Sequence, residues 1–227
     1  MPEKADEYKA FLFDLNGTMI DDMLYHIEAW HGVLKDVGAE ISLDQMKAEC
    51  YGKNHELLDR LFPGRFSESE KIEMSLEKEK KYQQVYKPEL RLVKGLHEFL
   101  EESHKAGIKI AVGTAAIMNN VDFVLDGVHI RHYIDAIVSA DEVSLSKPNP
   151  ETFLKCAEIL DVAPDQCLVF EDSPKGAESA FNAGMDCVVI TTIHKPEEFS
   201  ANKNVIGFIS NFDDPLVKNL IKWKEVV

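Results

Sequence analysis

A doubly wound, Rossmann-like α/β core with a parallel sheet and an inserted helical cap is the fold this sequence predicts, on three observations. Short apolar, β-rich runs recur between turn residues, segments with helical spacing separate the later ones, and a long interval after the first run carries helical patterns alone. The runs are Ala10-Phe11-Leu12-Phe13, Ile108 to Val112, Ala136-Ile137-Val138, Cys167-Leu168-Val169-Phe170 and Cys187-Val188-Val189-Ile190. Unbroken apolar runs of this length match strands buried on both faces.

Between them, Leu96, Phe99 and Leu100 lead to a stop at Ala106-Gly107. Phe153, Ala157 and Leu160 follow Pro150, and Ala177, Ala180 and Phe181 follow Pro174 and end at Gly184. From residue 22 to 86 the spacing predicts helices at 25–37, 44–50, 55–61 and 68–85, a block expected to form a cap over the carboxyl edge of the sheet. The expected domains are therefore a core of 1–21 and 87–227 and a cap of 22–86. Within the cap, the charge run Glu77-Lys78-Glu79-Lys80-Lys81 is expected on a solvated helix face with i,i+4 pairing, and Trp30 in the cap's core. Residues 213–223 predict a last amphipathic helix.

Composition narrows the function classes. The chain has 227 residues with 25 Lys+Arg against 40 Asp+Glu, a formal charge of −15. That excess repels polyphosphate backbones, and no basic stripe interleaves with aromatics, so nucleic acid is excluded as a partner. An anionic small ligand then needs a local cation or a metal. The cysteines Cys50, Cys156, Cys167 and Cys187 lack any metal-ligand spacing and read as buried thiols of a reducing compartment. Met1 to Ala10 is charged, and no segment approaches ~18 apolar residues, so a cytoplasmic protein with no membrane partner is expected. No feature demands a dimer, and a monomer is expected.

Four segments carry chemistry. The first strand ends in Asp14-Leu15-Asn16-Gly17-Thr18, a carboxylate at a strand tip followed by a turn. Val112-Gly113-Thr114-Ala115 closes the second strand with a hydroxyl and backbone N–H groups suited to phosphate oxygens. Ser146-Lys147-Pro148-Asn149-Pro150 sets one ammonium in a rigid loop before a helix, where it either neutralises an anion or pairs with Glu142 or Glu151 on the surface. Phe170-Glu171-Asp172-Ser173 ends another strand with paired carboxylates, the hard oxygens Mg²⁺ requires.

In this order and spacing the segments resemble those of the haloacid dehalogenase superfamily, in particular its beta-phosphoglucomutase-like branch with a helical cap. Asp14 to Thr18 resembles the first motif, Thr114 the second, Lys147 the third and Glu171-Asp172 the fourth, while Tyr25-His26 and Glu28-Ala29-Trp30 are similar to the start of that branch's cap. The resemblance implies Asp14 as nucleophile forming an aspartyl-phosphate. It implies Mg²⁺ held by Asp14, the carbonyl of Asn16, Asp172 and also Glu171, with Thr114, Ala115 and Lys147 on the phosphoryl oxygens.

Asn16 departs from that pattern, because the family's phosphatases and mutases usually carry an Asp there as general acid and base. An amide exchanges no proton, and loss of such a group costs about 10²–10⁴-fold. Three explanations stand: an engineered substitution, a natural one with another proton carrier, or a phosphometabolite-binding protein with vestigial activity. His26 is the candidate substitute carrier, against a helix-face histidine meeting Trp30 or Tyr25. Lys53 and His55, beside Gly52, are the candidates for contact with a distal phosphate or sugar hydroxyl of the substrate, against a plain surface role. His129 and His132, three apart, lack a third ligand and argue against zinc. Dehalogenases of the superfamily do without Mg²⁺, which the Glu171-Asp172 pair argues against. The phosphonate-cleaving branch needs a Schiff-base lysine, for which Lys47 or Lys53 shows no apolar setting. The expectation is a Mg²⁺-dependent phosphatase for a small phosphorylated metabolite, a sugar phosphate, with beta-phosphoglucomutase as the alternative.

Overall fold

The computed structural model describes residues 8–221. The chain divides into two compact units, one made of residues up to Asp21 and from Arg91 onward, the other of Asp22–Leu90. The second junction lies at 90 rather than 86, because the turn Lys87–Glu89 continues the preceding helix, with Lys87 N–H bonded to the carbonyl of Gln83.

The first unit is built on a six-stranded sheet of β1 (Ala10–Phe13), β2 (Lys109–Gly113), β3 (Ala136–Val138), β4 (Cys167–Glu171), β5 (Asp186–Ile190) and β6 (Val205–Ile209). Its order is β3-β2-β1-β4-β5-β6, and every pairing is parallel. The helices, in chain order, are α1 (Met23–Asp36), α2 (Leu43–Glu49), α3 (Asn54–Leu61), α4 (Glu68–Tyr86), α5 (Leu96–Lys105), α6 (Met118–Gly127), α7 (Glu151–Leu160), α8 (Pro174–Asn182) and α9 (Pro215–Ile221). Residues 222 and 223 of the expected last helix lie outside the described residues. Among the described residues, no helix is long and apolar enough to cross a membrane.

Strand alternation splits the core in two. Phe11 and Phe13 of β1 face an aromatic cluster with Phe99, Phe170 and Phe212, in which Phe13 and Phe170 stack at 4.7 Å. Ala10 and Leu12 face the opposite layer, where Phe153, Cys156 and Ala157 of α7 and Ala177 and Ala180 of α8 pack. The four cysteines are free, and burial pushes the Cys156 and Cys167 thiols up to about 12.

The sequence offers no counterpart for β6 or α6. At the sheet's edge β6 is only partly buried, and Gly207 interrupts its apolar run as the register shifts against β5. α6 buries Val121, Val124 and Leu125 but begins without a side-chain cap, so its start carries no signal. His129 has φ 60 beyond the end of α6 and His132 lies in a separate turn, Arg131–Tyr133, so the two share no helix face.

In the second unit Ser42 and Ser67 cap α2 and α4 in reciprocal boxes with Gln45 and Glu70. α1 packs along α4, and Trp30, Leu34, Met46, Leu58 and Tyr82 are buried. The charge run corrects the expectation of a solvated face. Lys78 and Glu79 are 4% and 6% exposed and pair with each other, while Lys81 reaches Asp36 on α1.

Candidate active site

The sheet order reverses between β1 and β4, and the four chemical segments converge at the carboxyl ends there. Asp14 follows β1 and is fixed by its N–H to the carbonyl of Phe170 at 2.9 Å. Thr114 follows β2, its N–H bonded to Val138 O at 2.9 Å, and its hydroxyl oxygen accepts from Ala116 N–H at 3.1 Å. As an acceptor there, the hydroxyl retains its own proton to donate. Glu171 ends β4 and Asp172 is next to it.

Lys147 arrives from the loop before α7, which other side chains hold. Ser179 donates to Asn149 O at 2.8 Å, Asn182 to Pro148 O at 2.9 Å, and the Phe153 ring lies 4.5 Å from the ammonium. From there Lys147 Nζ donates to Asp14 Oδ1 at 2.6 Å and Glu171 Oε1 at 2.7 Å. The surface alternatives fall away: Glu151 pairs with Lys155, and Ser139 N–H and Oγ both donate to Glu142.

The electrostatics are those of carboxylates crowded out of water. Burial alone would lower the Lys147 pKa, but the charges of Asp14 and Glu171 outweigh it and hold the ammonium charged. Burial likewise pushes Glu171 up, yet Lys147 and the hydrogen bonds from Ser173 keep it below its ordinary value. Asp172 is raised well above the usual carboxylate range, by burial first and then by the charges of Glu171 and Asp14.

Asp14, Glu171 and Asp172 each offer an oxygen within 4.8 Å of the others. Three hard donors, one of them pushed toward protonation by its neighbours' charge, fit a small divalent cation such as Mg²⁺, whose charge relieves that crowding. Glu171 has a second task. Its Oε2 accepts from the N–H groups of Asp172 and Ser173, both at 2.9 Å, and from Ser173 Oγ at 3.0 Å, which orders the turn into α8.

Ser173 and Gly176 are site residues the sequence reading missed, although a Ser-Pro pair after two carboxylates is a helix-start signal. Ser173 Oγ caps α8 at Gly176 N–H, and a Cβ on Gly176 would lie 1.8 Å from the Glu171 carboxyl. Glu171 is pinned from both sides and cannot give way. Gly176→Ala is therefore expected to cost about 1–3 kcal/mol and to lower the melting temperature by several degrees in a thermal scan.

The remaining candidates are divided between the two units. Asn16 is half-buried in the turn after β1, where Gly17 has φ 77, and Ala115 is half-buried after Thr114. His26, Lys53 and His55 belong to the helical unit. Both His26 ring nitrogens meet partners there, Nε2 with Asp22 at 3.2 Å and Nδ1 with Lys78 at 2.8 Å, and the ring stacks on Tyr82. Lys53 precedes α3, its N–H held by Glu56, and His55 is exposed.

A buried carboxylate and a hydroxyl at neighbouring strand ends, with a cation fixed against the carboxylate from a loop, are the parts of an α/β enzyme of the phosphoryl-transfer type. The profile of the family described as "Haloacid dehalogenase-like hydrolase" matches residues 11–190, and the chain belongs to that family. It is similar to the fructose-1-phosphate phosphatase YqaB of Escherichia coli (strain K12), 30% identical over 189 residues covering 81% of this chain and 96% of the relative. It is similar also to the beta-phosphoglucomutase of Bacillus subtilis (strain 168), 30% identical with 79% and 82% covered. Among solved structures, a beta-phosphoglucomutase from Clostridium difficile superposes with a TM-score of 0.81 at 26% identity, over 95% of this chain and 98% of that one.

Proposed function

We propose that the chain is a Mg²⁺-dependent phosphatase acting on a small phosphorylated metabolite, a sugar monophosphate, through an aspartyl-phosphate on Asp14. The observation that carries this reading is the Asp14 carboxylate, buried at a strand end, 2.6 Å from the Lys147 ammonium and clustered with Glu171 and Asp172. A phosphatase and a mutase of phosphorylated sugars among the relatives support the substrate class.

Asp14 Oδ attacks phosphorus, the bond to the ester oxygen breaks, and water later cleaves the acyl phosphate and returns the carboxylate. Lys147 neutralises the phosphoryl oxygens as charge shifts onto them, and the Thr114 hydroxyl with the backbone N–H groups beyond it orients them. Asp14, Asp172, Glu171 and the carbonyl of Asn16 would hold Mg²⁺, which supplies charge neutralisation between two anionic reactants. Lys53 and His55 are assigned to a distal phosphate or sugar hydroxyl of the substrate. Hydrolysis is preferred to mutase chemistry because Asn16, which exchanges no proton, impairs a mutase at both transfers.

The test is phosphate release from a panel of sugar monophosphates, phosphonates and pyrophosphate, with Mg²⁺ and with EDTA. Release from sugar monophosphates is expected only with Mg²⁺, and chelation should lower it by about 10²-fold or more. Tight binding of a sugar phosphate with no release under either condition would leave the chain as a binding protein. Beta-phosphoglucomutase activity, the second reading, is favoured by the Bacillus subtilis relative and would show as interconversion of glucose phosphates.

A further inference from the structure

The helical unit buries ionisable side chains that the reaction above does not use. Asp22, at the start of α1, is fully buried, and its Oδ2 lies 3.2 Å from His26 Nε2 and accepts the Tyr82 hydroxyl at 2.5 Å. The Tyr82 ring stacks on the imidazole at 3.7 Å and 16°. Lys78 Nζ lies 2.8 Å from His26 Nδ1 and 3.0 and 3.1 Å from the two oxygens of Glu79. Asn54 Nδ2, on the first residue of α3, donates to Glu79 Oε1 at 2.8 Å.

One arrangement of protons satisfies all of these contacts. Burial first, and then the Asp22 charge, push the Tyr82 pKa well above its ordinary value, so it stays a phenol and donates. An ionised Asp22 only accepts, which puts a hydrogen on His26 Nε2. Nδ1 faces an ammonium and must be the acceptor, since an imidazolium would set one N–H against another. Lys78 is tolerated in this interior because Glu79 is its counter-charge; a lone buried ammonium would not be.

We propose that Glu79 is a positioning residue of the helical unit. Through Asn54 it fastens the connection 50–53 and the start of α3, and through Lys78 it fixes His26 as the neutral Nε2–H tautomer. Substrate-reading side chains and the His26 ring are thereby set as one piece. In this arrangement His26 has its proton committed to Asp22 and its lone pair to Lys78, so it is a fixed contact and not the proton carrier that Asn16 lacks. The link to substrate rests on the reading above that Lys53 and His55 meet a distal phosphate or sugar hydroxyl of the substrate.

The test uses the full chain. In ¹⁵N-labelled protein the His26 ring should show a pyrrole-type Nε2 and a pyridine-type Nδ1 at neutral pH. Asn54→Ala and Glu79→Gln should each speed amide exchange over 51–55, and Glu79→Gln should also blur the single His26 tautomer. Both should raise KM for the best sugar monophosphate, so that its kcat/KM relative to p-nitrophenyl phosphate falls about 10-fold. An Nδ1–H tautomer or an imidazolium in the unsubstituted protein overturns the proposal, as do folded variants within about twofold of it in exchange and in that ratio. Should Glu79→Gln not fold, Asn54→Ala decides, because it breaks the tie without stranding a charge. Should the unsubstituted protein release phosphate from no ester, the phosphatase reading fails, while the ring spectra and exchange still decide this one.

Discussion

Asp14→Asn is expected to abolish Mg²⁺-dependent phosphate release, by about 10⁴-fold or more, while the protein stays folded. An amide is nearly isosteric with the carboxylate, but its oxygen carries no charge with which to attack phosphorus, and Glu171 is not free to take its place. Glu171 is held by Lys147 and the turn into α8. Folding survives because Lys147 keeps Glu171 as its counter-charge once residue 14 is neutral. The same change takes the charge from one of the three carboxylates of the cluster, and with it one of the charges that raise Asp172, so Mg²⁺ affinity should fall in calorimetry. Trapping by acid quench adds a second readout. The unsubstituted protein should yield an acid-stable, alkali-labile phosphoryl label, and the Asp14→Asn variant none. Equal turnover in both would remove Asp14 as nucleophile.

Three parts of the site legible in sequence share one property: each ends an apolar run. Asp14, Thr114 and Glu171 mark where buried strands stop, and the pattern that announces a parallel strand also announces its carboxyl end. Lys147 was legible as a lone cation beside two prolines. Its targets were not, since the contacts with Asp14 and Glu171 span 133 and 24 residues. β6 escaped for the opposite reason, an edge strand being too exposed and too broken at Gly207 to leave an apolar run.

The helical unit shows where residue type misleads. Lys78 and Glu79 sit in a run of charges, and five successive charges on a helix read as solvent-facing because nothing local says otherwise. What draws two of them inward is polar partners far along the chain, His26 at 52 residues and Asn54 at 25. A buried ion network has no periodicity of its own. Gly176 is a similar case: its need for no side chain comes from the Glu171 carboxyl folded over it, and only the packed turn reveals that.

Asn16→Asp should raise sugar-phosphate hydrolysis by about 10²–10⁴-fold, the contribution of a positioned general acid and base. The substitution adds no atoms and leaves the turn as it is, Gly17 keeping φ 77 and its carbonyl accepting the Thr192 hydroxyl at 2.6 Å. It gives residue 16 the capacity to donate a proton to the departing oxygen and take one from water. It also adds charge near a cluster in which crowding already raises Asp172, so the variant should lose stability to EDTA more steeply than the parent. Phosphate release and melting temperature, each with and without Mg²⁺, test both. A gain confined to the Asn16→Asp variant means that the site is complete but for one proton carrier. Equal rates in variant and parent mean that the proton travels by another route, which His26 supplies only if its ring leaves its contacts with Asp22 and Lys78, and otherwise another residue or the substrate itself. No release from either protein, with sugar-phosphate binding intact, would make Asn16 the mark of a chain that holds phosphate esters without cleaving them.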